Sequence, residues 1–199
     1  MKRFLRFLIQ SIPALVLCSC SGYREEFRTW KEEVLLPDGR TIVVERSVSF
    51  VDATTWAGES PTREETAAEL RFTESLSHLP SWNTPLRAIL LYWDAVAGGW
   101  VLVATAGTCE IWRSRGQPPS FNWEFRLQGN DWREVPLSQS SLGLASNLQY
   151  EYPASPSTRI LTLQSKQKAW SGINEDSRVK FIREKSSFRC QPISKPSKS

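Results

Sequence analysis

The stretch from Trp30 to Phe50 constrains the fold most. Trp30, Val34 and Leu36 recur at even spacing, and so do Ile42, Val44, Val48 and Phe50, while Thr41, Glu45, Ser47 and Ser49 fall between them. A period of two places successive side chains on opposite faces, which marks a strand with one buried face. Between the two runs stands Pro37-Asp38-Gly39. Proline pre-sets its own backbone angle and glycine accepts a left-handed one, so this segment reads as a hairpin turn. The pattern predicts an antiparallel pair, Trp30–Leu36 and Thr41–Phe50, half-buried against a core.

Similar signals continue down the chain. Leu86–Trp93 and Trp100–Ala106 are apolar at nearly every position and read as central strands, joined through Asp94–Gly99 with two adjacent glycines for the turn. Trp123, Phe125 and Leu127 alternate with Glu124, Arg126 and Gln128, Gly129-Asn130 supplies a turn, and Trp132–Leu137 returns. Glu110–Arg115 reads as an extension of the sheet, and Arg159–Leu163 and Val179–Arg183 as further strands. Residues 51–66 read as loop, as does the Ser- and Pro-rich tract 138–157. The stretch after residue 62 has two readings. Thr62-Arg63-Glu64-Glu65 fits a helix capping box, with Ala68, Phe72, Leu76 and Leu79 on one face. Alternatively Leu70 and Phe72 alternate with Glu69, Arg71 and Thr73 as a strand, and this reading is preferred. The expected class is mainly β, an antiparallel sandwich or partly open barrel of short strands with at most one or two short helices.

The first residues read differently. Lys2, Arg3 and Arg6 precede an apolar run, Phe7–Leu17, interrupted by Gln10, Ser11 and Pro13. The run is short of the roughly 20 apolar residues needed to span a bilayer, and its position behind positive charge reads as an export signal. It ends in Leu17-Cys18-Ser19-Cys20, which resembles the lipobox of bacterial lipoproteins. The resemblance implies cleavage between Ser19 and Cys20, a diacylglycerol on the Cys20 thiol and a fatty acyl (palmitate-type) chain on its amine. Each buried methylene contributes about 0.8 kcal/mol, and two or more chains hold a protein stably where one does not. In the sorting rule of enteric lipoproteins, a residue such as Ser21 implies the outer membrane rather than the inner.

The segment Thr29-Trp30-Lys31-Glu32-Glu33-Val34-Leu35-Leu36, followed by Asp38-Gly39-Arg40, resembles the opening of uncharacterised proteobacterial lipoproteins, some of them prophage-borne. The later arrangement of Cys109, Pro118-Pro119, Trp132 and Val135-Pro136-Leu137 is similar to theirs as well. This resemblance implies anchoring and domain type, and no particular chemistry. The expected organisation is a signal peptide over 1–19, a tether over 20–29, one β-rich domain over 30–190 and a disordered tail over 191–199.

Charge and chemistry narrow the function classes. The formal net charge is +4, and Lys2, Arg3 and Arg6 carry three of those charges, so the chain after Ser19 is close to neutral. That removes the electrostatic footprint of a nucleic-acid binder, and no nucleic-acid partner is expected. Of the four cysteines, Cys18 leaves with the signal and Cys20 takes lipid, which leaves Cys109 and Cys190. In an oxidising compartment this pair is expected to form a disulfide; the alternative is two buried thiols. His78 is the single histidine, no His/Cys cluster or phosphate-binding glycine loop is present, and neither cofactor nor metal is expected.

Acids near the tryptophan-rich strands, Asp94, Glu110, Glu124 and Asp131, keep open a hydrolase using a carboxylate pair, although Glu124 and Asp131 read as solvated. Nine tryptophans are the other notable feature. Most read as core, and Trp112, Trp123 and Trp132, flanked by polar residues, are the candidates for an exposed aromatic platform. The favoured reading is a membrane-anchored envelope lipoprotein that binds or braces an envelope protein or glycan without catalysis. The alternatives are the hydrolase and a phage-encoded modifier of the host surface.

Overall fold

The computed structural model describes residues 24–53, 62–152, 160–171, 180–184 and 190. The expected hairpin is present and longer than its pattern: β1 is Arg24–Leu35 and β2 is Thr41–Ala53, paired antiparallel from Arg24↔Asp52 to Leu35↔Thr41. Residues 24–29, expected as tether, therefore belong to the first strand, because β2 runs far enough to pair with them. At the turn Gly39 has φ +86°, and the Asp38 carboxylate accepts from Arg40 N (3.0 Å).

The strand reading holds for the next stretch. β3 is Thr62–Phe72, with Leu70 and Phe72 buried, and β4 is Trp82–Thr84. The loop expected over 51–66 is thus partly strand at both ends, and residues 54–61 lie outside the described residues. The second sheet contains β5 (Arg87–Asp94), β6 (Gly99–Thr105), β7 (Asn122–Gln128) and β8 (Asp131–Val135). Both sheets are four-stranded antiparallel meanders, ordered β1-β2-β3-β4 and β5-β6-β7-β8, and neither closes into a barrel.

One core joins them. Val34, Val44, Leu70 and Trp82 from the first sheet cluster with Leu86, Leu91, Leu102, Trp123 and Phe125 on the side of the second. Burial of large side chains like these contributes about 1.5–3 kcal/mol each. The other face of the second sheet carries Ile89, Leu90, Tyr92, Val101 and Val103, covered by Leu137, Leu142, Leu144, Tyr150 and Ile182. That double cover is the reason β5 and β6 are apolar on both faces. The tract 138–152 contains no named strand or helix, yet Ser141 and Leu148 in it are fully buried.

Three expected strands are not strands among the described residues. Cys109–Ser114 forms a short helix, α1, because Thr108 caps it by accepting from Ile111 N (3.2 Å). Around Arg159–Leu163 there is a single parallel bridge, Leu161 to Glu32, and helix α2 starts at Leu163 and runs to Ser171. Near Val179–Arg183 the described pairing is one bridge, Phe181 to Ala145.

Candidate functional site

The two long sides of the sandwich differ. On the side where β1 meets β5, Asn147 ties the sheets together: its Oδ1 accepts from Leu91 N (2.9 Å), and its Nδ2 donates to Leu35 O (3.0 Å) and Leu91 O (2.8 Å). Beneath it lies a buried ionic group. Glu32 accepts from Arg46 (3.0 Å) and from Gln149 N (3.0 Å), and pairs with Lys166 of α2 (3.2 Å). Arg46 also donates to Ala88 O (3.1 Å) on β5 and lies over the Trp30 ring. Burial pushes the Lys166 ammonium below its ordinary pKa, against the pull of Glu32. A third tie runs from β5 to β3, where Arg87 Nε donates to Glu65 (2.8 Å) while Tyr152 donates to the same carboxylate.

On the opposite side, the edge strands β4 and β8 leave a cleft of about 450 Å³. Its walls include Trp82, Asn83, Phe125, Asp131, Trp132 and Arg133. The gap is crossed by Trp132 Nε1 donating to Pro80 O (2.9 Å). Trp132 is half-buried and stacks on Phe72, with centroids 5.9 Å apart and planes at 16°. Trp82 packs edge-on against Phe125 at 5.4 Å. Asn83, Asp131 and Arg133 are exposed, and Arg133 donates to Asp131 (3.1 Å).

Of the three candidate platform residues, Trp132 is half-buried in this cleft, and Trp123 lines a second one of about 580 Å³ with Asn122, Glu134 and Gln139. Trp112 is 9% exposed, stacks on Phe121 (5.1 Å, 4°) and donates to Pro118 O (2.9 Å). Trp123 is 8% exposed, with Arg115 against its ring. Both are core residues, because α1 and the 115–121 turn fold over positions that look polar-flanked in sequence. Cys109 and Cys190 are joined, with Cα atoms 5.6 Å apart, as expected. Cys20 lies outside the described residues. His78 is exposed in the turn after Glu74–Leu76.

The acids also sort themselves. Glu124 is fully buried, a correction to its expected solvation: β7 lies in the sheet that is covered on both faces, so alternation does not point its side chain to water. Its Oε1 accepts from Arg126 (2.8 Å) and its Oε2 from Ser138 N (2.8 Å), Ser138 Oγ (2.6 Å) and Ser141 Oγ (2.7 Å). Asp94 shares Arg126 (3.0 Å) and accepts from Val96 N and Ala97 N (3.0 Å each). Burial pushes the Glu124 carboxyl up, but these donors outweigh it and hold the group below its ordinary pKa. The backbone N–H of Ala97 and the Arg126 guanidinium hold Asp94 low as well, against desolvation. Asp131 is exposed, and Glu110 sits in the first turn of α1.

The sequence reading missed Glu32 and Arg46. Their signal was available: each occupies a gap in an apolar row, between Trp30 and Val34 and between Val44 and Val48. Among the described residues no group of three or more His, Cys, Asp or Glu is placed to hold a metal ion, and no helix is long and apolar enough to cross a membrane. No protein-family model, curated protein or solved structure matches the chain.

Proposed function

We propose that this chain is a lipid-anchored envelope protein whose β domain binds or braces an envelope partner without catalysis. The observation that carries the reading is the position of Leu17-Cys18-Ser19-Cys20 directly ahead of the fold: the first strand begins at Arg24. Four residues of extended chain reach at most about 14 Å, so acyl chains on Cys20 would hold β1 beside the bilayer. The Cys109–Cys190 disulfide suits an oxidising compartment outside the cytoplasm. Ser21 favours the outer membrane as the destination.

The acids favour a role without catalysis. Glycoside hydrolysis needs one carboxyl held protonated and the other ionised. Asp94 and Glu124 both bind Arg126, and both have lowered pKa values. That environment favours two carboxylates and suits a structural tie. Metabolic labelling with an alkyne-bearing palmitate tests the anchor. Label is expected on the wild-type chain and absent from Cys20→Ala, with the variant released from the membrane fraction; label that persists in the variant refutes the assignment.

A further inference from the structure

We propose that the cleft between β4 and β8 binds a saccharide chain. This deepens the reading of the domain as a binding module by naming its site and ligand class, and it does not depend on the lipid at Cys20.

The contrast between the two sides of the sandwich motivates it. The β1–β5 side holds a cleft of about 630 Å³, but its walls are aliphatic, with Leu35, Leu36, Leu144 and Leu163 among them, and its Asn147 and Lys166 are already bonded within the fold. The β4–β8 side keeps a cleft of about 450 Å³, within the usual size of small-ligand sites. Its aromatic surface has a defined chemistry. Trp132 has spent its one polar atom on Pro80 O, and it stacks on Phe72. What it still presents is bare ring carbon. A pyranose offers the matching surface, an apolar C–H face ringed by hydroxyls.

The polar groups around that ring are suited to those hydroxyls. Asp131 accepts, Arg133 donates, and the Asn83 amide does both. All three are exposed side chains, and all three line the cleft with Trp132. Trp82 adds a separate observation: it is 2% exposed, lines the same cleft, and its Nε1–H has no hydrogen-bond partner. An unsatisfied buried donor is costly, and a small shift of the ring that brings Nε1 to a ligand hydroxyl relieves that cost. The charged β8 edge, with Asp131, Arg133 and Glu134 in five residues, disfavours the rival occupant, an added peptide strand.

Calorimetric titration of the full chain, in micelles of a detergent without sugar headgroups, tests this. The probes are chitohexaose, cellohexaose and maltohexaose at millimolar concentration, with an extended Val-Lys peptide as the competing ligand. Saturable heat is expected with at least one hexasaccharide. Asp131→Ala and Asn83→Ala change exposed side chains and leave the core intact, and each is expected to weaken binding about tenfold, the worth of one good contact. Trp132→Phe, which keeps the packing on Phe72, is expected to weaken it as well. No heat with any hexasaccharide, binding undiminished in both exposed-site variants, or binding of the peptide alone would each overturn the proposal. Absence of fatty-acid label from the wild-type chain, or its persistence in Cys20→Ala, would overturn the anchor and leave this result standing.

Discussion

Glu32 and Arg46 meet inside the sandwich, with Oε1 and Nη1 3.0 Å apart and side chains 0% and 3% exposed. The pair sits in the apolar rows of β1 and β2, and Lys166 adds a second cation to the one carboxylate. Breaking a buried pair from one side strands the other charge, which costs about 3–5 kcal/mol. Glu32→Gln is therefore expected to destabilise the domain by about 3–5 kcal/mol in urea denaturation, because it strands two cations. Adding Lys166→Met removes one of them, so the double variant should fall short of additivity by about 0.5–3 kcal/mol. Strict additivity would show that the two residues act independently.

The disulfide closes a long loop. Cys109 and Cys190 are 81 positions apart. In the chain-entropy model such a link contributes about 4–5 kcal/mol by restricting the unfolded chain. The Cys109→Ser/Cys190→Ser variant is expected to lose stability on that scale, read as a lowered urea midpoint. Reductant should shift the wild-type midpoint in the same direction and leave the variant unmoved.

Acid should loosen the second sheet. Glu124 and Asp94 have lowered pKa values in the fold. Between those folded values and the ordinary carboxylate range near about 4, the unfolded chain binds more protons than the native one. Their stabilisation is therefore complete above about pH 5 and is lost as the pH falls through their folded pKa values. Glu124→Gln should be less stable at neutral pH and should show a shallower decline with acid, measured as urea midpoints across the pH range. An equally steep decline in the variant would assign the acid sensitivity to other carboxylates.

Asn147 makes three hydrogen bonds that join Leu35 of β1 to Leu91 of β5. Asn147→Ala leaves the buried Leu91 N–H without its acceptor and is expected to cost about 1–3 kcal/mol. Hydrogen exchange at the Leu91 amide reads the effect directly. It should speed up in the variant, while the β7–β8 hairpin, on the far side of the sandwich, exchanges as before.

The strands were the most legible part of the chain. Trp30, Val34 and Leu36 are all buried, and Pro37-Asp38-Gly39 turns where it should, because alternation and turn chemistry are local properties of the chain. α1 was within reach as well: Thr108 stands where an N-cap belongs, and Gly116, with φ +84°, follows the helix end. The candidate site was legible in part. Trp132 stood among the tryptophans singled out, but Asn83 and Trp82 come from a different sheet, and only the meeting of β4 with β8 brings them to it.

Sequence alone determined the mainly β class, the hairpins and the pairing expected of the last two cysteines. Each depends on local pattern, or on a short choice among few partners. The tertiary structure alone decided which polar residues are buried. Glu124 is inside because residues 138–141 fold over the second face of its sheet, and Glu32 and Arg46 are tolerated inside because Lys166, Gln149 and Ala88 supply their remaining partners. Burial depends on what covers a face. Here the cover comes from segments distant in the chain, which a period of two does not encode.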